Sequence, residues 1–476
     1  MASDTTLYRR GSLQSHHLYR TRWLALAWLF LQNVATGVST GQVLDYAIMS
    51  QSERRRHARW DMDGIHYSYG VFNSVKHNIR YFASVTNLLA KYYRVEGFMI
   101  NLFSIMNFAF FIPASVVASA VLDKAGLRAS CITGSLLNTT GTLLIFCSNY
   151  LPSNAYRMAL AGQIFASLSQ PFLFNATTKL AAVWFGGKER TLANTLSSIG
   201  NPIGIAAIVG LAPTIMGSDP NKTPTLNMLL LIICGALGST ALLTRNAPPT
   251  PPAPSADTKS KGFFPGLMST VTNIQFWVLM AVFGLVVGMF NTLVTYISDL
   301  ATPYGFTNDE AGTIGVLAIV SGLVAAGIIG FILDRTKGHK LAMKCHSFVA
   351  MIGMIFFTLA LHFQSAALVY IGAILIGGGG FPLIPIILEL GVECTYPVDE
   401  GTSSGLLWTI SNLAGVLFVI GADKLRAPDG KMFDSAVMLS IIGGLAFVFT
   451  WFYTAQSKRV TLEKTVERKG EQAGAC

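Results

Sequence analysis

The sequence predicts an all-α membrane protein of twelve transmembrane helices, arranged as two pseudo-repeated six-helix bundles. Only 12% of the 476 residues are charged while 52% are hydrophobic, about half the charge of an ordinary soluble globule. Apolar runs near the roughly 20 residues that cross a bilayer recur along the whole chain. The runs are continuous and do not alternate, which sets aside a β-barrel, the other backbone that lipid tolerates.

The expected spans are 23–46, 97–121, 127–148, 156–183, 191–216, 226–244, 274–298, 311–333, 341–363, 366–391, 402–422 and 434–454. Their flanks justify them in order. The first begins at Trp23, where the polar, basic "YRRGSLQSHHLYRTR" ends; that stretch does not read as a cleavable signal. "VLDKAGLRAS" separates the second span from the third, and "GGKER" the fourth from the fifth. The fifth, "TLANTLSSIGNPIG" and onward, is rich in small residues that permit close helix contact. Its Asn194, Ser197, Ser198 and Asn201 are expected to face protein or cavity. It does not read as a phosphate cradle.

The sixth span ends at Arg245, where "RNAPPTPPAPSADTKSK" reads as a linker joining the halves. "ILDRTKGHKLAM" parts the eighth from the ninth. The tenth holds the tetraglycine "IGGGGFP", suited to close packing or helix bending. "TYPVDEGTSSG" leads into the eleventh, and the twelfth ends before a polar tail.

Lys and Arg set the orientation. With the N-terminus cytosolic, the inner set is long and includes Lys124, Arg128, Arg190, Arg335, Lys337, Lys340 and Lys344, whereas the outer set is short. The net charge of +10 is therefore a topology signal; with no basic patch on a soluble domain, no nucleic-acid partner is expected. The domains expected are a cytosolic tail at 1–22, a six-helix bundle at 23–245, a cytosolic linker at 246–272, a second bundle at 273–455 and a cytosolic tail at 456–476. Asp123 pairs with Asp334, Pro171 with Pro382, Asn201 with Asn412 and Gly204 with Gly415 at one constant offset, which argues for duplication. The segment 51–84 breaks that register. It lacks helical periodicity and sets Arg54, Arg55, Arg56 and Arg59 outside, against the charge rule; it reads either as a disordered outer loop or as retained intron sequence.

The six cysteines show no disulfide, metal or prenylation spacing, and neither a metal nor a cofactor is expected. Asn221-Lys222-Thr223 is a candidate glycosylation sequon in a short outer loop. No nucleophile, base and orienter stand at a recognisable spacing, so an enzyme is not expected. No oligomerisation signal stands out, so the partners expected are the lipid bilayer and a small-molecule substrate, with the protein a monomer.

The two Asp loops carry the first candidate gate residues. Asp123 can sit against the start of the span at 402–422, near Gly401 to Gly405, and Asp334 against that at 191–216, near Thr191. A carboxylate there is worth about 0.3–1 kcal/mol, and up to ~2 when partly buried. Such contacts latch the halves on the cytosolic side and favour an outward-open state. Arg128 and Arg335 are the basic residues of the same loops; Glu189, Arg190 and Glu400 stand at neighbouring inner ends. Glu389 and Glu393 with Lys179 read as an ion-pair network at the inner gate, because unpaired charge at that depth is costly.

The two loops resemble the loop signature of the major facilitator superfamily. "VWFGGKE", "LDKAGLRAS" and "GFPLIPIILELGVECTYPVDEGTSSGLL" resemble, more closely, the feline leukaemia virus subgroup C receptor family, solute carrier family 49. The resemblance covers nearly all twelve spans. It implies a transporter with a central cavity between the halves, alternating access by rocking, and a substrate such as choline or ethanolamine, haem, or pyridoxine. A non-transporting receptor or sensor of the same fold is the alternative, against which the intact Asp loops argue.

By that resemblance Gln170 matches a family glutamine, and Asn412 stands where the family has another. "QVLDY" keeps Gln42 but has Val43 and Asp45 where choline-handling members have tryptophan and a second glutamine; Asn291 takes an aromatic position. Losing two aromatic faces for a quaternary ammonium costs on the order of tenfold to a hundredfold in affinity. Trp408, Tyr296 or Phe290 rebuilds the cage, or packs as ordinary core. Asp45 pairs with a cation, titrates, or lies in water at the outer end of its helix. No two-histidine haem-ligand pair is placed in the cavity. The membrane expected is the plasma or a vacuolar or lysosomal one, with both termini cytosolic.

Overall fold

A computed structural model of the chain describes residues 21–40, 92–95, 97–187, 189–216, 219–250, 263–306 and 308–455. Gln42, Val43, Asp45 and the segment 51–84 lie outside these residues, as do 1–20 of the first expected tail, 251–262 of the linker and the second expected tail.

Twelve long helices run through the described residues. They are α1 (22–40), α2 and α3 (together Gly97–Cys147), α4 (Ala155–Trp184) and α5 (Arg190–Ser198, resuming as Gly200–Met216). Then come α6 (Thr223–Gly238), α7 (Ile274–Ala301), α8 (Asn308–Thr336), α9 (His339–Phe363), α10 (Ala366–Thr395), α11 (Glu400–Lys424) and α12 (Phe433–Thr450). A short helix, Phe263–Val271, precedes α7.

The break between α2 and α3 is Gly126, whose φ of 87° lies in the left-handed region that side chains disfavour. Beside it Asn246 accepts the backbone N–H of Arg128 at 2.8 Å, tying the end of the first half back onto this turn. The tetraglycine of α10 serves close packing: a Cβ on Gly377 would stand 1.9 Å from the Ala318 carbonyl oxygen of α8.

Eight segments among the described residues are long and apolar enough to cross a membrane, the merged α2–α3 counting as one. The helices outside that set are α1, α4 and α5, of which α5 is divided into pieces of 9 and 17 residues. α4 buries Gln163, Gln170, Asn175, Thr177 and Thr178, and α5 is interrupted at Ile199 and buries Asn194, Thr195 and Ser197. Polar side chains at membrane depth persist where they face protein or a cavity.

Among the described residues four apolar clusters form the core, and none of them spans both halves. In the first half, Leu29, Leu122, Leu127, Leu180 and Phe185 pack together, and Ala35, Val38, Phe103, Ile208 and Leu226 form a second group. In the second half the clusters centre on Phe276, Phe283 and Ile387, and on Leu293, Phe357 and Ile376. Each bundle is thus held by its own hydrophobic core, and the halves meet through other chemistry.

Candidate functional site

The contact between the halves starts at the ends of α2 and α8. Asp334 Oδ1 accepts from the Thr191 N–H at 2.9 Å and its Oδ2 from the Leu192 N–H at 2.8 Å, at the first turn of α5. The Thr191 hydroxyl also meets His339 Nε2 at 3.0 Å. The pseudo-equivalent Asp123 is served differently. Thr402 Oγ1 donates to its Oδ2 at 2.6 Å, while the N–H of Gly401 at the start of α11 goes to Asp399 Oδ1 at 3.0 Å. Asp399 caps its own helix, leaving a hydroxyl for Asp123.

Further along, small polar side chains of α2 seat on α11. Ser119 donates to the Gly401 carbonyl at 3.0 Å and Ser115 to that of Gly405 at 3.1 Å, with Asn175 of α4 donating to Ser119 at 3.1 Å. The expected network of Lys179 with Glu389 and Glu393 is partnered otherwise. Lys179 pairs with Asp399 and, at 3.2 Å, with Glu400. Glu389 lies 3.9 Å from Arg190, and Glu393 is buried at the end of α10. The reason is rotational: the face of α4 carrying Lys179 points at the α10–α11 turn. Burial works against a charged Asp399, yet the Lys179 ammonium outweighs it and holds the carboxyl below its usual range.

Glu189 pairs with Arg22 at 2.9 Å, pinning the start of α1 to the α4–α5 loop. Arg128 is exposed, and Arg335 lies over the exposed Phe331 ring at 4.1 Å. Neither of these two expected gate residues enters the contact between halves, because both sit on the solvent side of their turns.

Above the serines lies an aromatic layer that crosses between halves. Phe174 of α4 stands 4.8 Å from Trp408 of α11, Phe283 of α7 closes on Trp408 at 5.2 Å, and Phe111 of α2 lies 6.1 Å from Phe174. One helical turn beyond it come amides. Gln170 precedes Phe174 by four residues, and Asn107 precedes Phe111 by four, so each pair shares a helix face. Gln170 Nε2 donates to Asn107 Oδ1 at 3.1 Å and to Thr40 of α1, while Asn201 of α5 donates to Thr36 at 3.4 Å.

On the other side Asn412 stands one turn beyond Trp408, its amide donating to the Trp408 carbonyl at 2.8 Å. Asn291 lies beside Gly415. Tyr296 is not in this group: it is 3% exposed, its hydroxyl donates to the Val419 carbonyl at 3.2 Å, and Arg426 lies 5.7 Å over its ring. Phe290 packs edge-on to Phe381 at 4.9 Å. Among the described residues no cluster of three or more His, Cys, Asp or Glu could hold a metal ion.

The model of the Major Facilitator Superfamily matches residues 72–419. Solute carrier family 49 member A3 of Xenopus tropicalis is 30% identical over 408 residues, covering 80% of this chain and 84% of its own length. The chain belongs to the major facilitator superfamily, and within it to solute carrier family 49. The choline/ethanolamine transporter FLVCR2 of Homo sapiens is 27% identical over 450 residues, covering 90% of this chain and 84% of its own. The Escherichia coli fucose:proton symporter FucP matches in fold with a TM-score of 0.66 at 14% identity, covering 92% of this chain and all of that one. This solute carrier family 49 chain is therefore a multi-pass membrane transporter, and the receptor-only alternative is not favoured.

Several residues of this transporter's contact region were not singled out from sequence: Asp399, Thr402, Arg22, Asn107, Thr40 and Phe174. Asp399 carried a signal, since an Asp just before "EGTSS" is a helix N-cap pattern. Asn107 stands as a single amide within "FSIMNFAFF", and Phe174 had no signal at all. A further pair, Asp299 with Arg426 at 3.0 Å, joins the far ends of α7 and α11.

Proposed function

We propose that this chain carries a small organic solute bearing an amine or ammonium and a hydroxyl, of the choline and ethanolamine class, by alternating access between its halves. The observation that carries the reading is the pairing of Gln170 and Asn107, uncharged amides, one turn from the cross-half ring pair Phe174–Trp408. Amide oxygens and hydroxyls accept from an alcohol or amine, and aromatic faces attract an ammonium by about 0.5–2 kcal/mol each. The name of the FLVCR2 relative points to the same class. Trp408 then supplies a face in place of those absent at Val43 and Asn291, with Gln42, Asp45 and Asn412 completing the site.

Asp123, Asp334, Lys179, Asp399, Glu400, Arg190 and Glu389 act as the inner latch in this reading. The latched face is cytosolic, as are both termini, and the monomer is the working unit in the plasma membrane or a vacuolar or lysosomal one. Each half keeps its own apolar core, so rocking changes only the polar and aromatic seam.

The test is uptake of labelled choline and ethanolamine into proteoliposomes, with pyridoxine and haemin as competitors. Saturable uptake lost in Trp408→Ala and weakened in Gln170→Ala is the expected result. Uptake of pyridoxine or haemin with none of choline or ethanolamine overturns the assignment of class.

A further inference from the structure

Along the rim that carries Asp334, three cations have carboxylate partners: Lys337 with Asp334, Arg190 with Glu389, Lys179 with Asp399 and Glu400. Arg335, Lys340 and Lys344 do not; among the described residues none of the three has a carboxylate at ion-pair distance. They stand instead against aromatic rings. Lys344 Nζ lies 4.1 Å from the Trp451 ring, and Lys340 Nζ lies 5.9 Å from that of Tyr453 while donating to the Thr454 carbonyl at 3.3 Å.

These rings close the end of α12, where large apolar side chains are exposed. Trp451 and Phe452 are 59% and 60% exposed. Leu341 and Phe348 on α9 and Val448 on α12 are exposed as well, Phe348 standing one turn beyond Lys344 and Val448 one turn before Trp451. Phe348 and Phe447 join the two helices at a ring separation of 5.4 Å, and Lys344 meets the Trp451 ring across the same helix pair. The depth is that of the interface, where Trp and Lys anchor.

We propose that the exposed face where the start of α9 meets the end of α12 binds the headgroup of an anionic phospholipid, with Lys340 and Lys344 on its phosphate. Two ammonium groups without a carboxylate partner among the described residues supply the charge, and the exposed Trp451 with Phe348 and Val448 supplies the apolar bed for the acyl chains. A free anion would find the lysines but not the bed, so the lipid is the occupant. Each such lysine adds about tenfold or less to the attraction of an anionic surface.

The full chain in phosphatidylcholine nanodiscs, with phosphatidylserine titrated in, provides the test, retained lipid being counted by native mass spectrometry. Saturable retention of phosphatidylserine is expected, weakened roughly thirtyfold in Lys340→Ala/Lys344→Ala. The charge-matched control Lys124→Ala/Arg245→Ala, exposed residues of the first half's rim, keeps wild-type retention. Equal weakening in both double variants means diffuse attraction and overturns the site; so does no weakening in either. Competition by millimolar inorganic phosphate assigns the two lysines to free anions and overturns the lipid. Should the double variant not fold, Lys344→Ala alone is expected to weaken retention about fivefold, with unchanged retention overturning the proposal, and Lys344→Arg restores it.

Discussion

Asp334 caps the helix that begins at Arg190, its carboxylate taking the N–H of Thr191 at 2.9 Å and of Leu192 at 2.8 Å. The two residues belong to different halves, so this is a bond that rocking must break. Asp334→Asn removes the charge and keeps the shape. A carboxylate against a helix N-terminus is worth up to ~2 kcal/mol when partly buried. The variant is expected to populate the open form of this face more, read as longer spin-label distances across the α5–α8 contact by double electron–electron resonance.

Lys179 and Asp399 form a largely enclosed charge pair of the seam, 18% and 3% exposed in their side chains. Removing Lys179 costs about 3–5 kcal/mol, because Asp399 is left unpaired, and removing Asp399 costs less, because Glu400 still faces the ammonium at 3.2 Å. Lys179→Met alone and Asp399→Asn alone are each expected to lower the melting temperature. The double variant is expected to recover part of the loss, and a double-mutant cycle on thermal melts measures the coupling.

The pH dependence of that pair follows from the direction of the shift. Lys179 holds the Asp399 carboxyl below its ordinary range against the opposing effect of burial. A carboxyl depressed by folding lends stability that is complete above its unfolded value, near ~4, and is lost only as pH falls through the lowered folded value. This contact is therefore expected to leave melting unchanged from neutral pH down to about 5, and Asp399→Asn to flatten the fall below it. Melting curves across that range check both.

Gln170 donates to Asn107 one turn above the Phe174–Trp408 pair. A hydrogen bond to a solute is worth about 0.5–1.5 kcal/mol net, so Gln170→Ala is expected to raise the KM for choline or ethanolamine by about two- to tenfold. Trp408→Ala removes a cross-half ring as well as a cation face, and is expected to lower kcat along with raising KM. Initial-rate uptake in proteoliposomes separates the two effects.

The close approach at Gly377 predicts a stability effect without a transport role. A Cβ there meets the Ala318 carbonyl oxygen at 1.9 Å, and backbone cannot yield as a side chain can. Gly377→Ala is expected to destabilise the second half by about 1–3 kcal/mol, the usual cost of overpacking, read as a lowered melting temperature.

The helices were legible from sequence because crossing a bilayer demands length and apolarity, which are local properties. The polar helices α4 and α5 were placed by their flanks, since Gln163, Gln170 and Asn194 dilute the hydropathy that marks the others. Of the site, residue types and ends of helices were legible, and partners were not. Lys179 was set among Glu389 and Glu393, yet it meets Asp399 and Glu400. Tyr296 was set in the cavity, yet its ring lies under Arg426 and its hydroxyl is spent on Val419.

What the amino-acid order determined by itself was the membrane class, the twelve-helix pattern, its duplication, and two aspartates beside helix starts. Hydropathy and spacing encode these without reference to any distant residue. What only the tertiary structure decided was which faces meet: that Phe174 reaches Trp408, and that Asp399 takes the Gly401 N–H and leaves Thr402 for Asp123. Helix rotation and crossing set those contacts, and a turn of about 100° per residue moves a side chain from cavity to lipid with no change in the apolar pattern that marks the span.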